Sequence, residues 1–132
     1  MSRFARMRRD DGSAPAEFVM VGALLTVLTL SVIQLGLALH IRNTVLDAAA
    51  EGARFAALAD NGLGDGVGRT RDLIRVALGP GYARDVTAAY GTYLGHPSAA
   101  VTVRAPLPLI GLVGIDGGLE VSGHAAVENL DD

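Results

Sequence analysis

Phe18 to Leu39 reads FVMVGALLTVLTLSVIQLGLAL, 22 residues with no charge and one strongly polar side chain, Gln34. At roughly 1.5 Å per helical residue the run covers ~33 Å, enough to cross the ~30 Å hydrocarbon layer of a bilayer. A helix apolar on every side needs apolar surroundings on every side, and a chain of 132 residues is too small to provide them. The run therefore predicts a membrane span, Phe18 to Leu39, with the lipid bilayer as its partner. Arg3, Arg6, Arg8 and Arg9 precede it and only Arg42 lies just beyond it. The arginine-rich flank stays inside, so the N-terminus is expected to be cytoplasmic and everything from His40 onward extracytoplasmic. A cleaved secretory signal has a shorter apolar core of roughly 7–15 residues and a small-x-small cut site. Gly36-Leu37-Ala38-Leu39-His40 is a poor match, which favours retention of the helix.

Composition removes other classes. Half the residues are hydrophobic but only 5% are aromatic, so any core is aliphatic. There is no cysteine, which excludes disulfides, thiolate metal sites and cysteine catalysis. A formal charge of −3 offers no field for nucleic acid. His40, His96 and His124 lack ligand spacing, and no nucleophile turn or phosphate loop is present. No metal, cofactor or catalytic set is expected, and a membrane-anchored enzyme is the weakest of the functional readings.

The residues ahead of the span, Gly12-Ser13-Ala14-Pro15-Ala16-Glu17-Phe18, set one carboxylate against the apolar run. Two readings are open. In one, Glu17 sits in a first helical turn favoured by the helix dipole, with Ser13 and Pro15 as start signals. In the other, Gly12 ends a short leader, and cleavage exposes an amine on Ser13. Glu17 of one copy then neutralises that amine on a neighbour, because an unpaired ion beside lipid is expensive.

Beyond the span, Ile41, Val45, Ala48, Gly52 and Phe55 alternate at spacings of four and three, one helical stripe. Arg42, Asn43, Asp47, Glu51 and Arg54 occupy the remaining surface, with Glu51 and Arg54 placed to pair. Ala48, Gly52 and Ala56 are small at every fourth position, so another backbone can approach there. That backbone belongs either to the chain's own outer domain or to another subunit. The predicted helix runs from about Pro15 to Leu58. Asp60 to Gly68 (DNGLGDGVG) is expected to end it as a plain linker, since glycine at every second position disfavours helix. A short helix is predicted over Arg69 to Leu78, closed by Gly79-Pro80-Gly81. Asp85 to Leu94 reads as extended with Tyr90 and Tyr93 partly covered, and Ala99 to Ala105 is the clearest strand. Pro106 and Pro108 then force an edge or crossover. Leu107 to Val113 is a second apolar stretch too short to span, and Leu119 to Val127 reads as a closing strand.

Three stretches together resemble the TadE-like minor pilins (pseudopilins) of tight-adherence (Tad/Flp) pili, a branch of the type IV pilin-like proteins. They are GSAPAEF from Gly12, RNTVLDAAAEGARFAAL from Arg42, and VTVRAPLPLIGLVGIDGGLEVSGHAAVE from Val101. Asp10 and Asp11 stand where many prepilins keep basic residues, and Pro15 replaces a more usual helix former. The resemblance implies an α+β, membrane-anchored, pilin-like fold. Its parts are a leader (1–12), an N-terminal transmembrane helix (13–39), an extracytoplasmic continuation (40–58), and a small outer domain with a short helix and antiparallel strands (59–132). It implies cutting by a prepilin peptidase between Gly12 and Ser13, and subunit docking through Glu17 and Phe18. Helix packing would run through Ala48, Glu51, Gly52, Ala53, Arg54 and Phe55. Implied partners are other pilins or minor pilins and the inner-membrane platform with its secretion ATPase. The subunit would stay in the cytoplasmic membrane or be carried into an extracellular pilus, to serve adhesion. Loss of the leader removes four arginines and two aspartates, taking the formal charge from −3 to −5. The alternative is an uncleaved single-pass membrane protein whose outer domain binds a partner or ligand.

Overall fold

A helix with no polar face has nothing within its own chain to pack against, and the first half of the longest element behaves that way. The computed structural model describes the backbone of residues 2–108 and 114–128, and side-chain exposure for residues 12–107 and 118–128. Helix α1 runs Ser2–Ala57, and the chain divides into two compact units, Met1–Gly36 and Leu37–Asp132. In the first unit the apolar side chains are open: Phe18 is 80% exposed and Leu24 67%. A continuous apolar surface of this kind is untenable in water. Three hydroxyls within its apolar stretch are satisfied inside the helix. Thr26 donates to the Gly22 carbonyl (2.8 Å), Thr29 to Leu25 (2.7 Å) and Ser31 to Val27 (2.7 Å). Length, composition and internal hydrogen bonding give one helix able to span a membrane among the described residues.

Pro15 lies inside α1, not at its start. A proline loses one backbone bond without ending the helix, and the arginine- and alanine-containing residues before it are good helix formers.

The second unit is α+β. It contains α1 up to Ala57, α2 (Leu63–Leu78), a one-turn 3-10 helix (Pro80–Tyr82), β1 (Asp85–Tyr93), β2 (His96–Pro108) and β3 (Gly114–Ala126). The strands form an antiparallel sheet in the order β1-β2-β3. Val86 pairs with Val103 and Val103 with Val121, which sets one apolar face. That face meets Ile41, Val45, Ala49 and Ala53 of α1 and Ile74 of α2, in a core built largely of alanine and valine. β1 and β2 are joined by a two-residue turn, Leu94-Gly95, with φ of +52° and +82°. Both signs are those a tight hairpin needs.

Three expectations are corrected. Leu63 to Gly68 is not linker but the first part of α2. The Asp65 carboxylate accepts from the Gly62 N–H (2.8 Å) to close the helix start, and tertiary contact overrides the poor helix propensity of glycine. Tyr90 and Tyr93 are exposed, at 57% and 49%, because the hairpin reaches past the helices that cover the rest of the sheet. The strand bearing Pro106 is central, not an edge. β1 stops pairing at Asp85–Arg104, however, so Pro106 sits where β2 has only β3 beside it, at a register shift between Ala105 and Leu107. The apolar stretch Leu107 to Val113 lies largely outside the described residues, as do the side chains of residues 2–11.

Candidate functional site

Gly12, Ser13 and Glu17 are exposed along α1, and a side chain built on Gly12 would meet nothing within 4 Å. Glu17 makes no ion pair or hydrogen bond among the described residues. Phe18 follows it at the start of the apolar surface, 80% exposed. Gly12 and Pro15 stand on either side of Ser13 and both have low helix propensity, yet α1 runs through them without a break.

The second candidate group divides by face. Ala48, Gly52 and Ala53 are buried, whereas Arg54 and Phe55 are exposed and Glu51 is intermediate. Arg54 reaches Glu51 at 4.0 Å, a solvated pair worth little to stability. The small residues are covered by α2 and β3 of the same unit. A Cβ on Gly52 would collide with the Thr70 hydroxyl and come within 2.8 Å of the Gly66 carbonyl oxygen. One on Gly66 would sit 2.5 Å from the Ala56 methyl, and one on Gly123 would press into the backbone of Ala49 and Ala50. Thr70 is fully buried, and its hydroxyl donates to Gly66 (2.8 Å), with the Ala48 carbonyl at 3.4 Å. Backbone therefore lies on backbone at Gly52–Gly66, and at Gly123 a strand lies on a helix. The predicted stripe bends as a result. Ala56, not Phe55, continues the buried face, because only a small side chain fits opposite Gly66.

No group of three His, Cys, Asp or Glu side chains suited to a metal occurs among the described residues. His40, His96 and His124 are all exposed, and His124 stacks on Tyr93 with ring centroids 4.3 Å apart. That stack, the Leu94-Gly95 turn and the Gly123 contact were not found from sequence. The turn alone carried a signal, a lone glycine between two β-prone runs.

The family model described as TadE-like protein matches Gly12 to Arg54. Residues 12–54 are TadE-like. The TadE-like segment holds the apolar helix and the α1 residues from Ile41 to Ala53 that belong to the core of the second unit. Helix α2 and the sheet lie outside it, as does the tail from Val101. Neither the curated proteins nor the solved structures provide a match. The match covers about a third of the chain.

Proposed function

We propose that this chain is a minor pilin or assembly subunit of a tight-adherence pilus, cut between Gly12 and Ser13 and held in the membrane by Phe18 to Leu39. The observation that carries the reading is an uncovered apolar helix lying inside a TadE-like segment that begins at Gly12. A prepilin peptidase acts on the cytoplasmic face, where the four arginines hold the leader. The mature helix then presents a new amine four residues from Glu17. A carboxylate and an amine from adjacent copies compensate each other beside lipid far better than either does alone. Other pilins, the inner-membrane platform and its ATPase are the partners this role requires, and the second unit faces the outside.

Intact-mass measurement on protein purified from membranes tests the reading. Ser13 as the first residue is the expected result. A chain beginning near Met1 would instead make this an uncleaved single-pass protein.

A further inference from the structure

Contacts within the second unit fix how far each element reaches along α1 towards Leu39, where the apolar run finishes. Gly66 of α2 lies against Ala56 and Thr70 against Ala48 and Gly52, so α2 descends towards Leu39. Leu73 and Ala77 accordingly line one groove with Thr44, Asp47 and Ala48. At about 1.5 Å per residue, Leu78 comes level with Arg42, roughly 5 Å along the axis from Leu39. At the other end of the unit the Glu128 N–H donates to the Ala57 carbonyl (2.9 Å), while Gly123 lies on Ala49 and Ala50. The start of β3 therefore also lies towards Leu39. Ala105, paired with Leu119, shares the core with Ile41. β2 continues beyond that level through Pro106, Leu107 and Pro108, about 10 Å more at ~3.3 Å per residue, which carries it past Leu39.

Two uncharged stretches meet at this end. Val76 to Ala83 has no charged side chain, and Ala105 to Ile115 has no polar side chain at all. The 3-10 helix Pro80–Tyr82 packs beside β2, which makes the two stretches neighbours. Pro80 and Gly81 are exposed, and Leu78, Tyr82, Pro106 and Leu107 are half-buried. β1 pairs no further than Arg104, so that edge of β2 is open from Ala105 to Pro108. Pro106 and Pro108 have no N–H to leave unpaired there, which suits an edge beside lipid better than one in water. The rim carries both signs, Arg75 and Arg84 with Asp72 and Asp85. Apolar burial, and not attraction to anionic lipid, is therefore the force available to this surface.

We propose that this end of the second unit is seated in the headgroup layer of the bilayer that its own helix crosses, with Pro80, Gly81, Tyr82 and Leu107 at the acyl boundary. That layer adds roughly 5–7 Å to each side of the hydrocarbon, so residues level with Leu39 to Arg42 lie inside it. Tyrosine, with an apolar ring and a polar tip, is a side chain the layer favours. A small contact suffices, because the span holds the surface beside lipid at high effective concentration. The second apolar stretch, too short to cross a bilayer, thus rests on one. The inference depends on the membrane span proposed above and not on the cut at Ser13.

The chain has no tryptophan, so a single introduced one reports on a single place. Full-length Gly81→Trp, Leu107→Trp, Tyr90→Trp and Leu28→Trp are each reconstituted into phosphatidylcholine vesicles, with and without lipid brominated on its acyl chains. A Cβ on Gly81 meets nothing within 4 Å, so Gly81→Trp keeps the fold and carries the test if Leu107→Trp, at a half-buried position, does not. Gly81→Trp should emit at a blue-shifted wavelength and lose most of its emission to the brominated lipid, as should a folded Leu107→Trp. Tyr90 pairs with Ala99, which clusters with Ala56 and Ala57 at the opposite end of the unit. Tyr90→Trp should therefore emit as in water and lose nothing. Leu28→Trp, in the span, is quenched whenever the chain crosses the bilayer. An unquenched Gly81→Trp beside a quenched Leu28→Trp overturns this proposal alone. A blue-shifted but unquenched Gly81→Trp overturns it too, since protein and not lipid then covers this end. So does equal quenching of Tyr90→Trp and Gly81→Trp. An unquenched Leu28→Trp defeats the span itself, and this inference with it.

Discussion

Replacing Gly52 by alanine sets two effects against each other, and the structure decides the sign. Glycine in a helix interior is about 0.8–1.0 kcal/mol less favourable than alanine, so propensity alone makes Gly52→Ala stabilising. The new methyl, however, falls on the Thr70 hydroxyl and 2.8 Å from the Gly66 carbonyl oxygen. The hydroxyl can turn away only by giving up its bonds to Gly66 and Ala48, and the carbonyl moves only if α2 moves. Overpacking of this kind costs about 1–3 kcal/mol, and with two immovable neighbours the upper half of that range applies. The net expectation is a loss of about 1–2 kcal/mol, or roughly 4–16 °C in Tm for a unit of this size. Gly68 supplies the control. It lies in α2 with nothing within 4 Å, so Gly68→Ala should gain about 0.4–1 kcal/mol. All three tyrosines, Tyr82, Tyr90 and Tyr93, lie in the second unit. Near-ultraviolet circular dichroism of the full chain in detergent therefore follows that unit's melting without interference from the apolar helix. Thr70→Ala added to Gly52→Ala should recover part of the loss, with a coupling of about 0.5–3 kcal/mol. If Gly52→Ala melts at or above the parent temperature, α1 and α2 do not cross there.

Four further outcomes follow from the same geometry. Gly123→Ala should lower the melting temperature at least as much as Gly52→Ala, since its methyl meets the backbone of Ala49 and Ala50 and has no side chain to displace. Glu128→Ala should cost about 0.5–1.5 kcal/mol, because the carboxylate accepts from the Ala59 N–H (3.3 Å) just past the end of α1; urea unfolding of the second unit reads the change. Leu94→Asn should stabilise the chain by about 1–2 kcal/mol through relief of the positive φ, read as a rise in the thermal midpoint of the second unit. Glu17→Gln should leave membrane insertion intact and reduce pilus output, scored by fractionation and by sheared-fibre yield.

The parts of this chain that were legible in its sequence are those in which one physical term dominates. From Phe18 to Leu39 the missing charge is decisive, and burial in the chain's own second unit cannot compete with it. Val101 and Val103 alternate with Thr102 and Arg104, and the strand follows from that pattern. Legibility failed where two weak terms compete and contact distant in sequence chooses between them. Leu63 to Gly68 has glycine at three of its six positions, and local propensity reads it as loop. The same absence of side chains lets Gly66 rest on Gly52, so the feature that argues against helix locally is what permits this helix to pack. Phe55 and Ala56 are equally good continuations of the α1 stripe by spacing. Only the backbone of α2 at Gly66, ten residues after Ala56, excludes the larger one. The Gly12 to Phe18 segment is a third case, since the role proposed for it needs a neighbouring chain and a cut that folding does not make. Glu17 lies open on α1 without a partner among the described residues. Its place one residue before the apolar run follows from the sequence alone, whereas the amine proposed as its partner belongs to another copy.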